Sequence, residues 1–259
     1  MRRQDEVPRV IRQNIPNLYG TSFEDERRLH PRIWDADYCL LRGLADAVAR
    51  FACEHSSPGM TVIDFGCGAK PYRSLFPQDC KYIGVDTCPN LHADLVIDPG
   101  QAVPLPDASA TLIISTQVVY LIPDYSDYLR ECSRLLNAEG RMLITTHGTW
   151  TYHPASGGDY YRFTQDGFRH ILRNAGFETE SMEPIVGTLG TGLHLRQLVF
   201  NAWLRHVPLG GWAARLLNII TNCRILIEDR LSPKGTKMAS PVIYAAVARL
   251  ARPDSQVIS

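Results

Sequence analysis

The sequence has no excess of charge of either sign. Its 259 residues include 27 Lys and Arg and 27 Asp and Glu. Proteins that grip nucleic acid through its phosphates usually carry a basic surplus, because each phosphate contact needs a Lys or Arg. The balance argues against a nucleic-acid partner, although it leaves room for a local basic patch.

The sequence also lacks the cysteine spacing of a disulfide scaffold or a zinc site. Its seven cysteines are scattered, without a C-x-x-C pair, which predicts a reducing compartment and hence the cytoplasm. Acids and prolines follow Met1-Arg2-Arg3 where a signal peptide would be apolar. No uncharged apolar run reaches the roughly 18 residues of a transmembrane helix.

Short apolar runs alternate with helical patterns along most of the chain. Helices are predicted at 36–54, with Asp35 as the cap, at about 125–137, ended by Gly140, and from Thr164 to Gly176. Strands are predicted at 61–65, 81–86, 95–97, 111–116, 141–146, 177–184 and 242–248. This alternation predicts an α/β fold with a doubly wound parallel sheet, which binds ligands at the carboxyl ends of its strands.

Two strand ends carry the most specific signal. The first strand runs into a glycine turn, Asp64-Phe65-Gly66-Cys67-Gly68, where glycines let the backbone approach a ligand. The second strand ends on Asp86, at the offset from which a carboxylate accepts hydrogen bonds from ribose hydroxyls. A dinucleotide fingerprint would place Gly or Ala where Pro71 stands, and Asp64 suits an amine-bearing ligand better than a pyrophosphate.

These residues resemble the first motif of the class I S-adenosylmethionine (SAM)-dependent methyltransferases, acid-x-Gly-x-Gly. The resemblance continues through 94–124, and 153–167 is similar to a subgroup found in glycan and small-molecule biosynthesis. It covers roughly residues 36–185 and the last strand. It implies a Rossmann-like seven-stranded sheet in the order 3-2-1-4-5-7-6 with the last strand antiparallel, SAM as cofactor and S-adenosylhomocysteine as product.

The resemblance also implies how the cofactor is held. Asp64 would bind the amino-acid end of SAM, directly or through water, and Asp86 the ribose. Asp98 would contact the adenine, and Thr116 and Gln117 would lie beside the methionine half. The predicted cofactor residues are Asp64, Gly66, Cys67, Gly68, Asp86, Thr87, Asp98, Thr116 and Gln117.

Residues after the fourth and fifth strands are the candidates for binding the methyl acceptor. A hydroxyl acceptor needs a base, and His153 is favoured because histidine titrates near neutral pH; His147 and Asp159 are the other catalytic candidates. Alternatively, His147 caps the sheet edge and Arg162 pairs with an acid to hold its loop. The spacing of the two histidines and Asp159 fits no compact metal motif, so no metal is predicted. Acceptor contacts are predicted for Tyr120, Tyr152, Tyr160 and Arg162.

The chain is predicted to consist of an N-terminal arm, 1–35, and a methyltransferase domain, 36–259. The arm is either a packing tail or a lid over the substrate. A helical insertion, 190–231, precedes the last strand and is split by Pro208-Leu209-Gly210-Gly211. It either packs on the sheet or forms a dimer interface, or it covers the substrate or meets a membrane or lipid-linked substrate.

The implied activity is methyl transfer to an oxygen, or less readily a nitrogen, of a small molecule or sugar. The chain departs from many relatives after the fourth strand, where Tyr120-Leu121 replaces Glu-His. This departure motivates an alternative, a protein of the same fold that binds SAM but catalyses another reaction such as a cyclisation, or has a non-catalytic role.

Overall fold

The computed structural model describes residues 25–87, 90–153 and 158–252. Its centre is one seven-stranded sheet in the order β3-β2-β1-β4-β5-β7-β6. The strands are β1 (Thr61–Phe65), β2 (Lys81–Asp86), β3 (Leu95–Val96), β4 (Ala110–Thr116), β5 (Leu136–His147), β6 (Phe177–Ile185) and β7 (Ile243–Leu250). Strands β1 to β5 pair in parallel, and β7 runs antiparallel to β5 and β6. The predicted fold class and strand order are confirmed.

Helices flank the sheet, as expected for strands that are buried along their length. They are α1 (Asp25–Leu29), α2 (Tyr38–His55), α3 (Tyr125–Leu135), α4 (Gln165–Asn174), α5 (Thr188–Leu204), α6 (Gly210–Leu231) and α7 (Lys234–Ala239). The predicted cap of α4 is confirmed, since Oγ1 of Thr164 accepts a hydrogen bond from the Gly167 N–H at 3.1 Å. Gly176 follows α4 with a φ of +83°, as a terminating glycine should.

The predicted boundary between α3 and β5 was wrong. Helix α3 ends at Leu135, and β5 begins immediately, because Leu136 pairs with Ala110 of β4. Gly140 therefore lies inside a strand, where a Cβ would come within 2.8 Å of the Thr111 carbonyl oxygen. Close backbone approach explains this glycine, and helix termination does not.

The start of α2 also differs from the prediction. The helix begins at Tyr38 after Asp37, and the Asp35 carboxylate instead accepts a hydrogen bond from the Arg32 N–H at 2.8 Å. After the glycine turn the chain forms only a short 3-10 helix, Arg73–Leu75. Pro77 accounts for this shortness, because the residue before a proline is disfavoured in the helical region, and Phe76 is extended.

The order of the sheet determines where a site can form. Strands β1, β2, β4 and β5 are neighbours and parallel, so their carboxyl ends meet at one edge. The crossovers after β1 and β4 lie on opposite sides of that pair, which makes it the topological switch point where α/β sheets bind ligands. The glycine turn, Asp86 and Gln117 all stand at this edge.

Candidate active site at the carboxyl ends of the strands

The glycine turn lies over the end of β2. The N–H groups of Gly66 and Cys67 donate hydrogen bonds to the Val85 carbonyl oxygen at 2.8 and 3.2 Å. Gly66 has a φ of +67°, and a Cβ there would collide with the side chain of Val118. Gly68 has a φ of +51°, and a Cβ there would meet nothing within 4 Å. Gly66 is thus required by packing, whereas Gly68 leaves open space against the backbone that a ligand can fill.

Asp64 is buried directly below this turn, only 1% exposed. Its Oδ2 accepts a hydrogen bond from the Tyr82 hydroxyl at 2.7 Å, and its Oδ1 has no hydrogen-bond partner among the described residues. Burial raises the pKa of Asp64 to about 7, against the hydrogen bond from Tyr82 and the charge of Arg28, which lower it. A buried carboxylate oxygen without a donor is the partner that the ammonium group of an amino acid would satisfy.

Asp86 holds the other side of the turn. Its Oδ2 accepts hydrogen bonds from the Gly68 N–H at 3.2 Å and the Asn90 side-chain amide at 2.9 Å, and its Oδ1 accepts one from the Thr87 N–H at 2.8 Å. The same Asn90 amide donates to the Gly68 carbonyl oxygen at 2.6 Å. Asp86 and Gly68 are therefore tied together, with Thr87 exposed beside them.

The remaining predicted cofactor residues lie around this pair. Asp98 is exposed after β3, with its N–H donating to the Gln101 side chain at 3.0 Å. Thr116 is buried at the end of β4, and Gln117 follows with a φ of +61°. The Gln117 amide nitrogen donates to Oγ1 of Thr145 at 3.0 Å. Cys67 is buried, and its thiol pKa is raised by burial to about 12, as expected of a packing residue and not of a nucleophile.

The sequence prediction did not include three side chains that shape this site. Tyr82 begins the apolar run that ends on Asp86, but nothing in that run marks its hydroxyl as a partner of Asp64, and Asn90 stands in a stretch of sequence with no distinctive pattern. Arg28 belongs to α1, within the predicted arm, yet its charge lowers the pKa of both Asp64 and Tyr120. Only contacts between distant parts of the chain reveal these residues.

His147 ends β5 inside a column of aromatic rings. Its ring lies edge-on to Tyr120 at 4.6 Å and parallel to Trp150 at 4.7 Å, and Trp150 stacks on His194 at 5.3 Å. Burial lowers the pKa of His147 to about 3, so its imidazole is neutral at physiological pH. Its Nδ1 has no hydrogen-bond partner within the described part of the chain.

Arg162 and Asp159 clamp the loop that follows β5. The guanidinium makes a two-pronged hydrogen bond to the carboxylate at 2.5 and 2.6 Å and donates to the Thr151 carbonyl oxygen at 2.8 Å. It also lies 5.5 Å from the ring of Tyr120. This arrangement matches the alternative in which Arg162 pairs with an acid to hold its loop.

His153 is attached to the same clamp through its backbone, whose N–H donates to Oδ2 of Asp159 at 2.7 Å. Burial raises the pKa of Asp159, but Arg162 and this N–H outweigh it and hold the pKa below its usual value. For His153, burial lowers the pKa of the imidazole, and this effect exceeds that of the Asp159 charge, which raises it. The His153 imidazole is therefore neutral at pH 7 and able to accept a proton.

The two tyrosines of the loop that were predicted to contact the acceptor are exposed. Tyr152 and Tyr160 show 61% and 50% of their surface to solvent. The N–H of Tyr160 donates to the Tyr120 carbonyl oxygen at 3.1 Å, which joins the loop to the end of β4. The structure thus brings Tyr120, Tyr160, Arg162 and Asp159 together. Residues 154–157, within the loop, lie outside the described residues.

Comparison with known proteins identifies the family. Residues 37–182 match the model of a methyltransferase domain family. The chain belongs to the SAM-dependent methyltransferases. The class I resemblance and the expectation of SAM as cofactor are thereby confirmed. Oδ1 of Asp64, which has no partner in the part of the chain that the structure describes, and the open space at Gly68 fit such a cofactor.

Curated relatives agree with this assignment over part of their length. A probable SAM-dependent methyltransferase of Mycolicibacterium smegmatis is 28% identical over 141 residues, covering 49% of this chain and 55% of the relative. One of Mycobacterium tuberculosis is 30% identical over 84 residues, covering 30% of this chain and 31% of the relative. The chain therefore spans about half or less of the curated relatives that it matches.

A solved structure shares the fold. The Burkholderia thailandensis 1,6-didemethyltoxoflavin-N1-methyltransferase, with bound 1,6-didemethyltoxoflavin and S-adenosylhomocysteine, matches with a TM-score of 0.52 at 13% identity. The match covers 82% of this chain and 79% of that chain. At this identity the likeness establishes the fold of the domain.

Proposed function

We propose that this chain transfers the methyl group of SAM to an oxygen of a small molecule or sugar. The observation that supports an oxygen acceptor is the clamp of Arg162 and Asp159, which binds the backbone of His153 in the loop that follows β5. The carboxyl end of β5 lies at the sheet edge that carries Asp64 and Asp86. A hydroxyl is a weak nucleophile, and a nearby neutral imidazole can remove its proton during attack. An amine acceptor would need no such base.

The cofactor would be held by residues on both sides of the glycine turn. SAM supplies a methyl group activated by its sulfonium. Oδ1 of Asp64 would accept from the ammonium group of the cofactor, and Gly68 would let the ligand lie against the backbone. Asp86 would accept from the ribose hydroxyls while keeping its bond to the Gly68 N–H. Because these groups are held in place before binding, they orient the methyl group at little entropic cost.

The acceptor would meet the loop that follows β5. His153 would take the hydroxyl proton, and the exposed phenols of Tyr152 and Tyr160 would hydrogen-bond to the acceptor. Arg162 has its donors engaged with Asp159 and the loop carbonyls, so its role would be to position the loop. The ring column of Tyr120, His147 and Trp150 would form an apolar wall that excludes water.

The test is to supply SAM carrying a deuterated methyl group together with fractionated small-molecule and glycan extracts. Formation of S-adenosylhomocysteine with a labelled O-methyl product would support the proposal, and a labelled N-methyl product would redirect it to nitrogen. SAM binding without S-adenosylhomocysteine from any fraction would contradict methyl transfer and favour the alternative reaction.

The acceptor then allows the base to be tested. His153→Ala should lower kcat at least tenfold while leaving SAM affinity unchanged, since general bases typically contribute about 100-fold or more. His170→Ala is the matched control, because His170 is exposed on α4 and bonds to Asn174 of the same helix. A His153→Ala enzyme with the wild-type rate at every pH would eliminate His153 as the base.

A further inference from the structure

Helices α5 and α6 form a hairpin whose inner face is polar. Asn218 and Asn222 are buried on α6, and Gln197 is buried opposite them on α5. The Gln197 amide donates to Oδ1 of Asn218 at 3.0 Å, and Asn201 exchanges two hydrogen bonds with Asn218 at 2.7 and 3.0 Å. A network of amides therefore joins the two helices where globular proteins usually place apolar side chains.

The same amides fasten the hairpin to the rest of the chain. Asn218 donates to the Trp34 carbonyl oxygen at 2.9 Å, and Asn222 donates to those of Ile33 and Asp35 at 2.8 Å. These carbonyls belong to the irregular segment before α2, and that of Asp35 also accepts a hydrogen bond from the Tyr38 N–H at 3.2 Å. The polar side chains of the inner face thus supply the hydrogen-bond donors that these backbone carbonyl oxygens accept.

The outer face of the hairpin is apolar. Trp203 is 61%, Leu209 83% and Trp212 74% exposed. The large exposed apolar side chains that form the centre of this outer face are Phe200, Trp203, Leu209, Trp212, Leu216 and Ile220. Scattered exposed apolar residues are ordinary, but six large ones concentrated on two helices that pack together, and on the turn between them, indicate an interaction surface.

The charge of the hairpin indicates what that surface meets. The hairpin contains five arginines and no lysine, and its two acids, Glu228 and Asp229, both lie in the last turn of α6, in a chain that is neutral overall. Glu228 pairs with Arg224 at 2.7 Å and Asp229 accepts from the Gly187 N–H at 3.1 Å, so in a twofold dimer the arginines of one patch would meet those of the other. An anionic surface would complement these arginines. Arg215 lies 5.5 Å from the Trp212 ring, so a basic and an apolar side chain stand side by side on the outer face.

The hairpin also lies beside the acceptor site. His194, on the inner face of α5, is fully buried and stacks on Trp150 of the ring column. A surface bound by the hairpin would therefore lie near the loop that follows β5. No helix within the described residues is long and apolar enough to cross a bilayer.

We propose that the outer face of α5 and α6 docks on an anionic lipid bilayer, with the helices lying in the plane of the headgroups. The tryptophans and leucines of the face insert among the acyl chains, and the arginines contact lipid phosphates. This inference does not depend on the acceptor atom, because it concerns binding and not methyl transfer.

The test is co-sedimentation of the full-length protein with vesicles of phosphatidylcholine, alone or mixed with phosphatidylserine. We expect binding to the mixed vesicles, a shift of the tryptophan emission to shorter wavelength, and weakening by salt. Arg196→Gln with Arg215→Gln should weaken binding roughly tenfold or more, since each basic side chain near an anionic surface contributes a several-fold effect. Trp203→Gln with Trp212→Gln should weaken binding to a similar degree through lost apolar insertion.

Leu91→Gln with Val96→Gln is the matched control, because both side chains are exposed and apolar but lie near β3, at the opposite edge of the sheet. Circular dichroism and thermal unfolding would show that each variant folds. No binding to mixed vesicles, or equal loss in the control, would overturn the proposal. A concentration-dependent dimer that the tryptophan substitutions dissociate, without vesicle binding, would assign the face to a second copy instead.

Discussion

The hydroxyl of Tyr82 donates to Oδ2 of the buried Asp64 carboxylate at 2.7 Å and leaves Oδ1 without a partner among the described residues. One oxygen is thereby held in place and the other is kept for a ligand. Burial raises the pKa of Asp64 to about 7, so near neutral pH about half of the carboxyl groups are ionised. A cationic ligand group beside Asp64 would stabilise the ionised form and lower this pKa.

Asp64→Asn should stabilise the protein without cofactor. The pKa of Asp64 is raised from 3.8 to about 7, so ionisation of the native carboxyl at pH 8 costs on the order of 4 kcal/mol. The stability associated with the protonated Asp64 carboxyl is fully present below pH 4 and is lost as the pH rises through 7. The gain in Tm of the variant over the wild type should therefore be largest at pH 8 and vanish near pH 4, as measured by calorimetry.

The same substitution should weaken SAM binding. The neutral amide cannot compensate an ammonium group, and binding by the wild type should weaken about tenfold per pH unit below 7 as Asp64 takes up a proton. Isothermal titration at pH 6 and 8 would check both expectations. An Asp64→Asn protein with wild-type affinity and the same pH dependence would remove Asp64 from the cofactor site.

Tyr82→Phe should have the opposite effect on stability. It removes the hydrogen bond that the buried carboxylate accepts at 2.7 Å and should destabilise the protein by about 1–3 kcal/mol at pH 8. The effect should be smaller at pH 4, where Asp64 is protonated. Tyr128→Phe is the matched control, because the Tyr128 hydroxyl donates to Oγ of Ser115 at 2.7 Å, an uncharged partner. Equal pH dependence in the two variants would contradict a charged Asp64.

Asp86→Asn should weaken SAM binding about 10- to 100-fold, the range for loss of hydrogen bonds to a charged group. Removal of this charge should also lower the pKa of Asp64, which the Asp86 carboxylate raises, and so move the pH midpoint of SAM binding downward. Asp46→Asn serves as control, since Asp46 is an exposed residue of α2. Calorimetric titration across pH would separate the two effects, and an unmoved midpoint would contradict the coupling.

Arg162→Lys should impair turnover while sparing SAM affinity. A lysine keeps the charge but cannot make the two-pronged bond to Asp159 and reach the Thr151 carbonyl as well. We expect at least a tenfold loss in kcat/KM for the acceptor, because the loop loses its fixed geometry. The control is Arg141→Lys, which alters the ion pair between Arg141 on β5 and Glu180 on β6. It should leave kcat/KM and SAM affinity near the wild-type values. An equal loss in both variants would mean a general effect on folding.

The sequence alone was sufficient for the features written in local patterns. Asp64, Gly66, Gly68 and Asp86 stand within two short segments, and their spacing indicates a strand, a tight turn and a carboxylate in any fold of this class. The seven-stranded order followed from the resemblance that these segments carry. Boundaries governed by pairing did not follow, since nothing near Gly140 indicates that Leu136 pairs with Ala110.

Contacts between distant segments decided the rest. Tyr82 and Asn90 are ordinary residues in the sequence. Only the pairing of β1 with β2 places the Tyr82 hydroxyl against Asp64, and only the folded turn brings the Asn90 amide to the Gly68 carbonyl oxygen. The hairpin shows the same division. Its sequence contains both polar and apolar residues, but periodicity cannot say which face turns inward. The carbonyl oxygens of Ile33 and Asp35 decide this, because the Asn222 amide turns inward to donate a hydrogen bond to each of them.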